Sequence, residues 1–337
     1  MSDCVHIVIV NYRTADLAID CLRSLAAQTA DLGGGRVLVI DNASGDDSVP
    51  KLTAAIEREN WSNWAQVMPL DRNGGFSFGN NAGIRYALAA PVRVDHVLLL
   101  NPDTIAHPHA VKFLVDFMAA HPAVGIVGSL LENTAGGVDC SAHRDPTPLG
   151  ELVSGARLGL LTRLLARHVI SPPAKNKPHA CDWVSGASMM LRREVIEQIG
   201  LMDEDFFLYF EEVDYCRRAR TAGWSVWYLP ESRVVHLEGA STGIQVGAKR
   251  RAGYWYASRR RFFIKHQGIT GLLAADTLWA LGRLSYLLRR LLRLGRFSIA
   301  NDPKWFMFDL LAGDLRALLT GQALGHAGAM RRQGIRR

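Results

Sequence analysis

Residues Val97-Leu98-Leu99-Leu100-Asn101-Pro102-Asp103-Thr104 place four apolar side chains directly before an amide, a proline and a carboxylate. Such a run, closed by a turn signal, is the pattern of a buried strand ending in a polar loop. Two upstream runs end in the same way: His6–Val10 before Asn11-Tyr12-Arg13, and Val37–Ile40 before Asp41-Asn42. Helical patterns fall between and after them, at Ala15–Ala27 (Leu17, Leu22 and Leu25 inward), Asn80–Ala89 and Pro108–His121. Further strands are predicted at Val67–Leu70 and Gly125–Ser129. Alternating βα units predict an α/β fold on a mainly parallel, Rossmann-like sheet flanked by helices. In such sheets ligands gather beyond the carboxyl ends of the strands.

The three polar strand ends therefore describe one floor. Tyr12 supplies a flat ring that could pack on a base, and Asp41 an acceptor for a ring N–H; Asn101-Pro102-Asp103 suits a metal or a phosphate. Asn73-Gly74-Gly75-Phe76, followed by Gly79-Asn80-Asn81-Ala82-Gly83, reads as a glycine-rich loop running into a helix, where backbone can approach an anion closely. It lacks the Gly-Lys-Ser/Thr of a Walker loop and does not follow the first strand as a dinucleotide fingerprint would.

Farther along, Gly136–Lys177 mixes Gly, Pro and His with a Leu/Arg-rich stretch and reads as a mobile or substrate-facing insertion. Regular patterns return at Trp183–Arg192, a helix near Arg193–Ile199, and strands at Trp224–Tyr228 and Arg233–His236. Between them, Phe206–Phe210 is an apolar run that leads into Glu211-Glu212-Val213-Asp214. Acidic residues ordinarily complement a helix N-terminus. Behind five apolar residues they also suit a general base whose pKa is lifted by burial and by a second carboxylate. His236 ends an apolar strand, where it is either structural or a metal ligand.

The chain has 337 residues and a net charge of +7. Its 48% apolar and 21% charged residues exclude disorder and collagen-like structure. The charge is divided: Met1–Gly239 carries 21 basic and 28 acidic residues, whereas Ala240–Arg337 carries 18 and 4. Five cysteines without CxxC spacing predict neither a disulfide framework nor a zinc site, and a reducing cytosol. The N-terminus has no basic n-region or h-region, so no secretory signal is predicted. Ile269–Leu288 contains Asp276 and Arg283, which argue against a spanning helix.

Taken together, these segments resemble family 2 glycosyltransferases, closest to the bacterial rhamnosyltransferase-like branch that builds lipid-linked surface polysaccharides. The segments that carry the resemblance are Val-Asn-Tyr-Arg (10–13), Val-Ile-Asp-Asn-Ala-Ser (39–44), Asn73–Phe76 with Asn80–Gly83, Leu99–Thr104, Trp183–Ala187 and Tyr209–Asp214. They stand in the family's order over roughly residues 5–265. The resemblance implies a GT-A fold, a nucleotide-sugar donor, a divalent metal (Mg2+ or Mn2+) and inversion at the anomeric carbon. By position, Asn11, Tyr12, Asp41 and Asn42 would hold the nucleoside, and Asn73, Gly75 and Asn80 the ribose and phosphates. Asn101-Pro102-Asp103 takes the family's Asp-x-Asp place, with Asp103 the principal metal ligand and His236 completing the coordination. Gly186 and Ala187 would leave room for the sugars. Glu212 falls at the catalytic-base position, beside Glu211, with Asp214 in support. Two residues depart from the pattern: Asn101 where Asp is usual, and Glu212 where the base is ordinarily Asp.

The implied reaction moves a sugar, first L-rhamnose from dTDP-rhamnose, to a polyprenyl-diphosphate-linked saccharide. The alternatives are another donor sugar (galactofuranose, N-acetylglucosamine or glucose) and a non-catalytic sugar-nucleotide-binding subunit. Domain limits are expected at 1–247 for catalysis and 248–337 for a basic, aromatic helical region. Beyond about 280, Leu281, Leu284, Leu288, Leu291 and Leu292 share one helical face, and Arg283, Arg289, Arg290, Arg293 and Arg296 the other. Lys249–Arg251 and Arg259–Arg261 bracket Tyr254-Trp255-Tyr256, and Trp305–Phe308 supplies a second apolar anchor. This pattern fits either a helix packed on the body with a solvated arginine face or a helix lying in a membrane interface. The interfacial reading predicts a cytoplasmic protein held on the inner face of the cytoplasmic membrane, with an anionic lipid surface and no nucleic acid as partner; a homodimer is compatible.

Overall fold

A computed structural model of the protein describes residues 3–237, 250–294 and 302–321. The N-terminal apolar runs form β1 (Val5–Asn11), β2 (Val37–Asp41), β3 (Ala65–Pro69) and β4 (His96–Leu100), and every residue of β1, β2 and β4 is buried. All four are parallel in the order β3-β2-β1-β4. α1 (Ala15–Ala26), α2 (Ser48–Arg58) and α3 (Phe76–Leu88) connect them. The chain builds outward from β1 first to one side and then to the other. This order reversal opens a crevice at the carboxyl ends of β1 and β4.

α3 begins at Phe76, four residues before the predicted start, and absorbs glycines that read as loop. A Cβ added at Gly79 would lie 2.7 Å from the Val10 side chain, and one at Gly83 would lie 2.5 Å from that of Val8. The glycines let α3 lie flat on β1. That packing outweighs their helix penalty of ~1 kcal/mol each.

The sheet then becomes mixed. β5 (Thr104–Ala106), α4 (Ala110–Ala120), β6 (Val124–Glu132), β7 (Val138–Asp139) and β8 (Ala142–His143) follow in sequence. After an excursion come β9 (His179–Ala180), β10 (Trp183–Val184), β11 (Ser188–Arg192), α7 (Arg193–Ile199), α8 (Glu211–Thr221) and β12 (Ser225–His236). Beyond β4 the order continues β11-β6-β12-β5, with β11 antiparallel to both neighbours. The two predicted strands at 224–228 and 233–236 are one strand, whose register on β6 shifts between Leu229 and Arg233. Pro230 lies in that shift; it has no N–H for the ladder, so the strand bulges rather than ends.

The chain forms two compact units. The α/β unit comprises Met1–His143, Pro173–Phe207 and Glu211–Gln245; the helical unit comprises Arg144–Pro172, Leu208–Phe210 and Val246–Arg337. The Gly136–Lys177 stretch is thus not one insertion. Its middle forms α5 (Pro148–Ala156) and α6 (Gly159–Leu164) of the helical unit, together with α9 (Gly253–Leu291) and α10 (Phe306–Leu319). α9 breaks at Gly268, where φ is 71°. α5 crosses α9 through two glycines: a Cβ at Gly155 would lie 2.4 Å from the Trp279 carbonyl oxygen, and one at Gly282 would lie 2.6 Å from that of Leu152.

In the helical unit the predicted solvated arginine face is divided: Arg283 is buried, whereas Arg290 and Arg293 are exposed together with the leucines of the stripe. Arg259, Arg260 and Arg283 are buried, while Leu281, Leu284, Leu288 and Leu291 are 54%, 54%, 56% and 78% exposed. Arg259 Nη1 donates to Asp276 Oδ1 at 2.7 Å, and Arg260 Nε to Asp314 Oδ1 at 2.7 Å. Trp255, Tyr256, Trp279, Leu310 and Phe306 pack together as the unit's own core. Lys249 and Arg296 lie outside the described residues.

Candidate active site

The floor forms where three parallel strands end. Asn11 and Asp41 stand side by side in the β1–β2 register, and both are buried. Asp41 Oδ1 accepts from Asn11 Nδ2 at 2.8 Å and from Ser44 Oγ at 2.6 Å, and Asn11 Oδ1 accepts from the Thr14 amide at 3.2 Å. These bonds hold the turns after both strands. Tyr12 is 39% exposed, with the Arg13 guanidinium 5.2 Å from its ring centre.

Asn42 and Asn73 brace the glycine-rich loop. Asn42 Nδ2 donates to Asn73 Oδ1 and to the Gly75 carbonyl, each at 3.0 Å, and the Gly75 amide donates to Asn73 Oδ1 at 3.0 Å. Gly75 has φ +89°, and a Cβ there would come within 2.1 Å of the Phe207 carbonyl oxygen. Any side chain would push that strand of backbone away. Asn80 Nδ2 donates to the Phe76 carbonyl at 3.0 Å, fixing the first turn of α3.

At the end of β4 a polar cluster closes from distant parts of the chain. His236 pairs with Thr104 across the β12–β5 ladder, which sets its ring beside the Asn101–Asp103 turn. His236 Nε2 lies 3.5 Å from Asp103 Oδ1 and 3.4 Å from Asn101 Nδ2. Asn101 Oδ1 and His236 Nδ1 are buried and without a hydrogen-bond partner. The Asn101 amide donates to the Ala187 carbonyl at 3.0 Å, which ties this turn to Gly186-Ala187. Among the described residues, no three His, Cys, Asp or Glu side chains cluster as a metal-holding group.

The acidic segment forms the first turn of α8. A Cβ added at Gly186 would stand 3.8 Å from Glu212 Cβ and 3.4 Å from the Phe76 ring, so Gly186 keeps open the space next to Glu212. Burial pushes the Glu212 carboxyl up to about 7, and its Oε2 has no hydrogen-bond partner. Asp214 is committed elsewhere: its Oδ2 accepts from Arg218 Nε at 3.0 Å, and the other two nitrogens of that guanidinium hold the carbonyls of Ile199 and Leu201. The fold thus brings Gly186, Phe76 and Glu212 together, and His236, Asn101 and Asp103 together.

Asn81 is the residue that sequence reasoning passes over. Its Nδ2 donates to the Met202 carbonyl at 2.9 Å and to Glu204 Oε1 at 3.0 Å, and its Oδ1 accepts from the Met202 amide at 2.9 Å. It anchors the loop leading to α8. The doubled Asn80-Asn81 is its only local signal.

The family described as Glycosyltransferase like family 2 matches residues 3–256, a span that includes every group above. The chain belongs to this family. The transferase is 30% identical over 224 residues to a low-salt glycan biosynthesis hexosyltransferase of Haloferax volcanii, covering 65% of this chain and 62% of that one. It is 27% identical over 285 residues to an N-acetylglucosaminyl-diphospho-decaprenol L-rhamnosyltransferase of Mycobacterium tuberculosis, covering 77% of this chain and 89% of the other. Among solved structures, the transferase resembles GalNAc-T7 with UDP, GalNAc and Mn2+ at TM-score 0.58 and 15% identity, over 93% of this chain and 57% of that one. It resembles the mannosyltransferase of Pyrobaculum calidifontis in complex with GDP-Man and Mn2+ at TM-score 0.54 and 15% identity, over 100% and 89%. The glycosyltransferase has the GT-A fold, with additional C-terminal helices.

Proposed function

We propose that the protein moves a sugar, with inversion, from a nucleotide-sugar donor to a polyprenyl-diphosphate-linked saccharide. dTDP-rhamnose is the first donor to test, because the mycobacterial relative is named as an L-rhamnosyltransferase acting on a decaprenol-linked acceptor. The observation that carries the reading is Glu212: a buried carboxyl without a hydrogen-bond partner on its Oε2, beside a glycine that leaves room for a ligand. A carboxylate so placed, with its pKa near the working pH, suits a general base.

On this reading Tyr12 covers the nucleobase, Asp41 and Asn11 orient the nucleoside, and the loop braced by Asn42 and Asn73 receives the ribose and phosphates. Glu212 takes the proton of the acceptor hydroxyl as it attacks the anomeric carbon. Gly186 and Ala187 leave space for the two sugars. Asp103 and His236 fit a divalent cation: they offer an oxygen and a nitrogen donor, next to the unpartnered Asn101 Oδ1. With so few protein donors, the ion would be held jointly with the phosphates of the donor, as is usual for Mg2+. A bound Mg2+ or Mn2+ supplies charge stabilisation to the leaving diphosphate.

The helical unit carries the membrane part of the proposal. Its leucine stripe, followed by exposed Trp305 and Phe308, is the apolar face of an interfacial helix, and exposed Arg290 and Arg293 suit anionic headgroups. No helix among the described residues is long and apolar enough to cross a membrane. Residues 248–337 are accordingly proposed to hold the enzyme on the inner face of the cytoplasmic membrane.

The test is transfer from dTDP-rhamnose to a short polyprenyl-diphosphate N-acetylglucosamine, with Mg2+ or Mn2+, on anionic liposomes. Product with inverted anomeric configuration is expected, as is sedimentation with the liposomes that weakens with salt. Donor binding without transfer to any acceptor would leave a sugar-nucleotide-binding subunit instead.

A further inference from the structure

Along α8, Glu212, Cys216 and Arg220 follow one another at four-residue spacing and meet Gly186, Val184 and Asp182, alternate residues of the extended segment around β10. At one end, a Cβ added at Gly186 would stand 3.8 Å from Glu212 Cβ. One turn on, the Val184 amide donates to the Cys216 sulfur. After a further turn Arg220 Nε donates to the Asp182 carbonyl at 2.9 Å, and its Nη1 lies 3.5 Å from Asp182 Oδ1. Four helical residues rise about 6 Å and two strand residues about 6.7 Å. The two repeats nearly match, so helix and strand stay in step over all three contacts. Every residue of this seam belongs to the α/β unit.

The strand side of the seam is fixed. β10 pairs with β8 in a two-stranded sheet of its own. The Asp182 amide donates to the His143 carbonyl at 2.9 Å, and the Ser185 amide to the Ser141 carbonyl at 3.1 Å, which extends that ribbon on either side. It lies tightly on β6: a Cβ added at Gly128 would come within 2.6 Å of Val184 Cβ, and Ser141 Oγ donates to the Ser129 carbonyl at 2.8 Å. Cys216 ties α8 to the main sheet as well. Its fully buried thiol donates to Met189 Sδ of β11 at 3.9 Å, and burial pushes its pKa up, so it keeps the proton it donates. Alternate strand residues point to opposite faces, so a slide of α8 by one residue on β10 would lose all three contacts. The pins at Cys216 and Arg220 therefore fix where the first turn of α8 lies, and Glu212 is the second residue of that helix.

We infer that Cys216 and Arg220 are positioning residues for the catalytic base: by holding α8 in one register on β10, they set Glu212 beside Gly186. The inference rests on the assignment of Glu212 as base. Cys216 stands one turn from that carboxyl and Arg220 two, and both act through it.

The experiment uses the full chain with 13C-labelled glutamate carboxyls, the Glu212 signal being assigned by its loss in Glu212→Gln. Transfer from dTDP-rhamnose to a polyprenyl-diphosphate N-acetylglucosamine is measured in parallel on anionic liposomes. Cys216→Ala removes the sulfur, and Arg220→Met removes the donor but keeps the stem. Both are expected to lower kcat by about ten- to a hundredfold, as misplacement of a catalytic group does, with the donor KM unchanged. In both, the Glu212 carboxyl should titrate below its wild-type position, toward the ordinary glutamate value of about 4.3, as water reaches it. Cys216→Ser and Arg220→Lys keep a hydrogen-bonding group at each pin and should keep most of the wild-type kcat and titration. In a Glu212→Gln background the pin substitutions should cost no further kcat, because residues that act as a unit are not additive. A loss that multiplies with that of Glu212→Gln would overturn the inference and leave a general effect on folding. So would an unmoved Glu212 signal in both Cys216→Ala and Arg220→Met, whatever their kcat. If the wild-type chain transfers no sugar while the Glu212 signal still moves in Arg220→Met, the register stands and the assignment of the base falls.

Discussion

Two buried carboxylates, one in each unit, make opposite use of burial. Glu212 sits in the α/β unit with an unpartnered Oε2, pushed up to about 7. Asp314 sits in the helical unit against Arg260 at 2.7 Å and Arg259 at 3.4 Å. Glu151 and Asp276 share Arg259, so the network holds three carboxylates against two guanidiniums. Even so, burial lifts Asp314 to about 6. A buried carboxyl that keeps cationic partners staples helices together. One left without a cation is costly to ionise, and on the proposed reading that cost keeps a proton acceptor near the working pH.

The comparison breaks most sharply at Glu212. Glu212→Gln is expected to lower kcat by about 10²–10⁴, the range of a general base, with donor affinity within about twofold by calorimetry. The pH dependence has a definite sign. A folded-state pKa raised to about 7 means that the protonated carboxyl is favoured in the fold, so its contribution to stability is lost as pH rises toward 7. Glutamine stays neutral. Thermal unfolding at pH 8 should therefore rise in the variant, by about 2–4 °C for each kcal/mol recovered, while wild-type kcat climbs through pH 7 as the base ionises.

The staple reading predicts the reverse pairing of effects. Arg259→Met takes the shared cation from Asp276 and Glu151 and leaves Asp314 with Arg260 alone, and breaking a buried pair in this way costs about 3–5 kcal/mol. Denaturant unfolding should show that loss, and donor binding at low denaturant should survive it. A smaller effect is expected at the proposed cation site. Asp103→Asn removes a carboxylate from it and should weaken donor binding in Mg2+ by about tenfold, or 1.4 kcal/mol; binding measured in chelator should hardly change. The smallest effect on stability is expected from Leu284→Gln with Leu288→Gln. Both positions are exposed, so folding should shift by no more than about 0.5 kcal/mol per site, while sedimentation with anionic liposomes drops.

Much of the floor is legible in the amino-acid sequence. Asn11, Asp41 and Asn42 stand out there because polar residues at the ends of apolar strands have one address in a parallel sheet, and Asn73 and Gly75 because they belong to a glycine-rich loop that runs into a helix. Asn81 and Phe207 do not stand out. Their roles are contacts with backbone groups, Met202 for one and Phe76 for the other, and a backbone group leaves no residue-type signal. The start of α3 is hidden for a related reason: glycines that suggest a loop also permit a helix to touch a strand.

The sequence by itself determined the family, the parallel sheet and the line of polar residues along its edge, because these follow from short-range pattern. Only the tertiary structure decided which charges of the basic region face inward. Arg259 finds its partners 17, 55 and 108 residues away, and His236 meets Asn101 across 135 residues. A helical period separates leucines from arginines equally well in either orientation. Which face is buried depends on what packs against it, and that is settled by residues far away in the chain.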